Sequence, residues 1–267
     1  MTIRHFKRFF IALFKILRQP SLLYHVLNNA TVFKQQVKDQ FPTLANGCPQ
    51  TTASLLGISL NQSITPYSFL NGTAEIADLA LLKGLAAQYA SCDYLEIGTW
   101  RGESARNMAQ CCSRVVSIDL SKEELEKRGY SSDMINAQDH FLDDSIQSIR
   151  KPLAKLNPLE LGKFDLVFID GDHHWQAIQS DTQIVFEHLI HDQSIVVWHD
   201  YTSNYLNLDW EVLLGVLKGM DEQLIQQLVH VRNTNCLIYW PGVIDVVNEK
   251  NPFRPIDTYQ IKIELGT

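Results

Sequence analysis

Asp93–Ser104 reads DYLEIGTWRGES. A short apolar run, Tyr94–Ile97, enters a turn marked by Gly98 and Gly102, and Ser104–Cys112 then reads as a helix. A buried strand feeding a helix through glycines is the opening unit of a parallel sheet whose ligands sit at the strand ends. The spacing is E-x-G-x-x-x-G, from Glu96 through Gly98 to Gly102. A dinucleotide fingerprint needs its second glycine where Trp100 stands, and an indole there obstructs a pyrophosphate. Asp119 closes the next strand about 20 residues on, where an acid can hydrogen-bond ribose hydroxyls. The turn therefore points to a nucleoside-type ligand without a pyrophosphate.

The body continues this rhythm. Arg114–Leu120 (RVVSIDL) reads as a second strand, followed by the charged helix SKEELEKRG. Asp133–Asp139 (DMINAQD) reads as a weaker third strand and Lys163–Asp170 (KFDLVFID) as a strong fourth. Ile178, Thr182, Val185, Phe186 and Leu189 share a helical face before a fifth strand at Ser194–Asp200 (SIVVWHD). Such alternation predicts a parallel sheet covered on both faces. The helix Asp209–Met220 leads to LIQQLVHV and CLIYW, joined by RNTN, which is too short for a crossover. These two must pair as an antiparallel edge hairpin. The expected fold is α/β and doubly wound.

Ionisable groups gather at the ends of strands four and five. FDLVFIDGDHHWQ (Phe164–Gln176) carries Asp170, Asp172, His173 and His174, and the fifth strand ends in His199 and Asp200. Adjacent parallel strands end on one edge, so these groups share a crevice. Two or three hard ligands suit a magnesium-like cation, and the histidines extend the choice to manganese, iron or zinc. His173 or His174 can instead serve as a general base near neutral pH. A metal-dependent hydrolase built on Asp170, Asp172, His173 and His199 is one alternative; a non-catalytic ligand-binding module is another.

The 267-residue chain, 45% hydrophobic and without internal repeats, suffices for one domain with added segments. Five cysteines without C-x-x-C spacing read as packing residues in a reducing, cytoplasmic setting. Seven of the 23 lysines and arginines fall in residues 1–38, where no acid stands; the remainder has 16 bases against 30 acids. That acidic body argues against nucleic acid as substrate. In the basic head, Ile3, Phe6, Phe10, Leu13, Phe14 and Leu17 recur at helical spacing up to Pro20. The run is too short to span a bilayer and lacks a signal-peptide cleavage site. It reads as a helix packed on its own domain, with membrane association, a partner protein or a homo-oligomer as the other uses of residues 3–18. A second helix is expected over Ser21–Val37, and Gly47–Pro49 as the boundary before the body.

YLEIGTWRGES, VVSIDL, FDLVFIDGDHHW and IVVWHDY together resemble class I S-adenosylmethionine-dependent methyltransferases. The likeness is to the small-molecule O-methyltransferase branch with D-G-D-H and H-D strand ends, and covers about residues 68–240. The resemblance implies a Rossmann-like, mostly parallel seven-stranded sheet with the core at 93–240. A helical segment at 1–45, lead-in helices at 46–92 and a tail at 241–267 would flank it. It implies S-adenosylmethionine held by Glu96, Gly98, Thr99, Gly102, Asp119, Asp139 and Asp170, with Asp119 on the ribose and Asp139 near the adenine. It further implies catalysis through His173 and Asp170, a metal at Asp170, His199 and Asp200, and methyl transfer to a hydroxyl of a small acceptor. Tyr201, Thr202 and Tyr205 are expected to line the acceptor pocket, with Tyr67–Thr73 as a lid.

Overall fold

Leu95, Leu166, Val167 and Phe168 have no solvent exposure, as expected for strands covered on both faces. They lie at the centre of a sheet in a computed structural model that describes residues 3–18, 30–247 and 258–264. The chain divides into two units, Met1–Ala45 and Asn46–Thr267. The first contains the helices Ile3–Arg18 and Ala30–Gln40. Of the helix expected over Ser21–Val37, residues 21–29 lie outside the described residues, and the observed helix runs three residues further than predicted.

The described residues of the second unit hold ten strands. In chain order they are β1 (Gln50–Thr51), β2 (Asp93–Ile97), β3 (Arg114–Asp119), β4 (Gln147–Arg150), β5 (Phe164–Ile169) and β6 (Ile190–Trp198). There follow β7 (Thr202–Ser203), β8 (Asn207–Leu208), β9 (Leu228–Val231) and β10 (Leu237–Tyr239). Eight form one sheet, ordered β1-β9-β10-β6-β5-β2-β3-β4, while β7 and β8 make a separate ribbon. Strands β4, β3, β2, β5 and β6 are parallel, and β10 runs antiparallel to both its neighbours, β6 and β9. The hairpin expected from the short RNTN link is therefore present.

Two expectations need correction. The sheet has eight strands and not seven, because Gln50–Thr51 adds a parallel edge beside β9. Asp133–Asp139 is not a strand: Ser132–Asn136 is a short helix whose N-terminal N–H of Met134 is capped by the Ser131 hydroxyl. A serine that satisfies free helix donors outweighs a weak apolar pattern. The strand in that place is β4, with the unremarkable sequence QSIR.

Register then sets the site. Ile97 lies opposite Ile118 on one side and Ile169 on the other, and Ile169 lies opposite Trp198. The residues that follow these strands, Gly98, Asp119 at the end of β3, Asp170 and His199, consequently emerge on one edge. β2 is the strand at which the chain order reverses, the position where such sheets open a crevice.

Candidate active site

At this edge the strand ends surround a cavity of about 820 Å³. Gly98, Thr99, Gly102 and Asp119 line one part of it, and Asp170, His173, His199 and Asp200 another. Leu125, Met134, Ile135 and Leu153 add an apolar wall.

The glycine turn is held from several sides. Gly98 has φ +91°, and a Cβ there would collide with the Asp170 carbonyl and the Gly171 backbone. The glycine thus serves the close approach of the β2 and β5 ends, where the sequence suggested approach of a ligand. Asp119 accepts the backbone N–H groups of Trp100 and Leu120, each at 2.7 Å, and so ties the turn to β3. Trp100 does not fill the rim: its ring packs against Gly72, stacks with the Arg101 guanidinium at 4.1 Å, and donates to the Met134 carbonyl. Arg101 also donates to the carbonyl of Asn71, to Thr73 and to Glu103. Glu103 in turn accepts from the Ser68 amide and the Thr73 hydroxyl. Two buried charges therefore fasten the loop before the first core helix to the glycine turn.

Glu96 lies beneath the turn with no solvent exposure. It accepts from Tyr94 at 2.7 Å and from Ser104 at 2.9 Å. Burial pushes its carboxyl up to about 8, against these two hydrogen bonds, which pull it down.

His199 is clamped by three carboxylates. Its Nδ1 lies 3.1 Å from Asp170 and 3.3 Å from Asp200, and its Nε2 lies 3.0 Å from Asp78. Burial opposes its charge, yet Asp170, Asp200 and Asp78 raise its pKa well above the ordinary imidazole value. His199 is thus a buried imidazolium. Asp170 is shifted up by burial, which outweighs the pull of His199; Asp200 is shifted down by His199 in spite of its burial. His173, more than half exposed, places Nδ1 3.1 Å from Asp200.

The structure brings Glu96, Gly98, Thr99, Gly102, Asp119, Asp170, His173, His199 and Asp200 to one place. It leaves out Asp139, which is off the cavity wall and paired with Arg150. It also changes the expected cation ligands. With both ring nitrogens of His199 facing carboxylates, the convergent donors among the described residues are Asp170, His173 and Asp200, all within 4.8 Å of one another. Tyr201 is buried and accepts the Cys48 amide, which makes it part of the core and not of a pocket. Thr202, Asn71, Gly72 and Thr73 do line the cavity. Asp172 pairs with Arg128 at 2.9 Å.

Asp78 was missed. It sits at the third position of the helix Ile76–Ala86, where its side chain accepts the Glu75 amide in a capping box. An acid at that position reads as an ordinary cap, although it is fully buried and also accepts the Asn235 amide. The one available signal was an acid in a mostly apolar helix whose other charge is Lys83.

The cavity fits an adenosyl sulfonium: carboxylates face the region beside Gly98, hydrophobic side chains flank the far wall, and no cationic cradle for a pyrophosphate is needed. Fold and rim resemble those of class I S-adenosylmethionine-dependent methyltransferases. Residues 95–201 match the family model described as a methyltransferase domain. The O-methyltransferase hkm8 of Aspergillus hancockii is 24% identical over 177 residues, which cover 61% of this chain and 64% of that protein. The chain thus matches less than two thirds of that relative's length. Solved structures with similarity include the SAH-bound methyltransferase PaMTH1 of Podospora anserina (15% identity, TM-score 0.44, covering 77% of this chain and 95% of that one). The O-methyltransferase TomG of Streptomyces achromogenes, in complex with SAM, is also similar (19% identity, TM-score 0.42, 78% and 96%).

Proposed function

We propose that this protein transfers a methyl group to a hydroxyl oxygen of a small-molecule acceptor. S-adenosylmethionine supplies the methyl group as a sulfonium. The observation that carries this reading is the single cavity that takes in both the glycine turn and the Asp170–His173–Asp200 cluster, so donor and acceptor share one space. Gly98, Thr99 and Gly102 flank the methionine portion, Glu96 supports the turn from below, and Asp119 has lone pairs left for the ribose hydroxyls. Asp170 faces the sulfonium side. His173 accepts the acceptor's proton, oriented by its contact with Asp200. Displacement at carbon demands in-line placement, so the walls that position the acceptor supply much of the rate.

A second reading adds a divalent cation at Asp170, His173 and Asp200, favoured by the convergence of their donor atoms. There it would lower the pKa of the acceptor hydroxyl. A hydrolase using His199 is disfavoured, because an imidazole engaged at both nitrogens offers neither a base nor a ligand.

The test is methyl transfer from labelled S-adenosylmethionine to phenol, sugar and carboxylate acceptors, with calorimetry of S-adenosylmethionine binding. Labelled ether product supports the reading. Absent cofactor binding together with metal-dependent ester cleavage overturns it.

A further inference from the structure

The first unit carries a feature that methyl transfer does not use. Ile3–Arg18 is a 16-residue helix with no acid. Along it Phe10, Leu13, Phe14 and Leu17 recur at three- and four-residue steps and are 42–72% exposed. Lys15 and Arg18 are exposed too, and the Arg18 guanidinium lies over the Phe14 ring at 4.6 Å.

We propose that this helix docks on an anionic lipid surface, lying in its plane. The occupant must receive both an apolar face and a concentration of positive charge. Anionic headgroups above acyl chains supply both at once, and a cationic side chain can extend from the apolar level to the headgroups. A second copy of the helix fits poorly, since it would bring a second set of like charges to the same face. No helix among the described residues is long and apolar enough to cross a membrane. The charge division supports the same partner. The seven bases of residues 1–38 are attracted to an anionic surface, whereas the remainder, with 16 bases and 30 acids, is repelled by it. Attachment is therefore carried by the head, and it weakens with salt.

The experiment is flotation of the full chain with vesicles of phosphatidylcholine alone or mixed equally with phosphatidylglycerol. The protein should float with the mixed vesicles, much less with phosphatidylcholine, and less again at high salt. Leu13→Asp/Leu17→Asp should lower partitioning roughly tenfold or more, since two apolar side chains lose their burial. Lys15→Glu/Arg18→Glu should weaken binding to the mixed vesicles only. Both variants should retain S-adenosylmethionine binding, which reports that the second unit is folded. Wild-type protein that floats with neither vesicle overturns the proposal, as does flotation unchanged in Leu13→Asp/Leu17→Asp. A wild-type dimer in light scattering that this variant dissociates, without any vesicle binding, also overturns it and assigns the face to self-association.

Discussion

The Nε2 of His199 lies 3.0 Å from Oδ2 of Asp78, a residue 121 positions earlier in the chain. This contact ties the end of β6 to the first core helix and completes the compensation of a buried charge. Asp78→Ala should therefore do more than remove a helix cap. It removes one of the three carboxylates that compensate the imidazolium and frees the Asn235 amide, changes that together cost about 3–5 kcal/mol when a buried pair is broken. Urea unfolding should show that loss, and Asp78→Asn, which keeps a hydrogen-bond acceptor for the amides, should show a smaller one.

The three carboxylates also decide where a cation can bind. His199 offers no free nitrogen, whereas His173 keeps one ring nitrogen away from Asp200. Titration with magnesium or manganese should thus lose affinity in Asp170→Asn, His173→Ala and Asp200→Asn, each by about tenfold or more where a ligand is deleted. If affinity is instead absent in the wild type while methyl transfer persists with chelator, His173 acts as a base alone. In that case His173→Ala should lower kcat by roughly 10²–10⁴ with cofactor affinity little changed.

Much of this arrangement was legible in the residues. The parallel sheet followed from alternation, the antiparallel hairpin from a link too short to cross over, and the shared rim from strands that end in acids and histidines. What stayed hidden depended on contacts between distant segments. Asp78 reads as a helix cap because it is one; its second role needs His199, which only the fold brings near. The family resemblance alone placed Asp139 near the adenine, but the Ser131 cap turns the stretch before it into a helix and Arg150 claims the carboxylate. β4 could not be found by periodicity, since an edge strand with partly exposed polar residues shows none of the apolar pattern that marks β5.

Arg101 joins the Tyr67–Thr73 loop to the glycine turn through Asn71, Thr73, Glu103 and the Trp100 ring. Arg101→Ala should loosen both at once. The expected result is a KM for S-adenosylmethionine and for the acceptor that rises together, with stability lower by about 2–4 kcal/mol because buried Glu103 loses its cationic partner. Arg101→Lys should recover little, as one ammonium cannot reproduce the planar fork that reaches a carbonyl, a hydroxyl and a carboxylate. Initial rates over both substrates, with thermal unfolding, separate this from a general loss of fold: only a coupled change in both KM values with kcat retained fits a positioning role.

Glu96 provides a pH test that needs no substrate. Its carboxyl titrates at about 8 in the folded protein and near 4.5 when exposed, so folding favours the protonated form. The stabilisation is complete below the unfolded value and declines as pH rises from about 4.5 through about 8. The cause is burial, which penalises the carboxylate more than the hydrogen bonds from Tyr94 and Ser104 relieve it. Glu96→Gln removes the titration, so its unfolding midpoint relative to wild type should climb across that window and level off above it. The integrated difference is on the order of a few kcal/mol. Saturating S-adenosylmethionine should reduce this slope in the wild type, because a sulfonium above Gly98 favours the ionised carboxyl. A difference curve flat from pH 5 to pH 8 would mean that Glu96 is ionised in the folded protein and that solvent reaches beneath the turn.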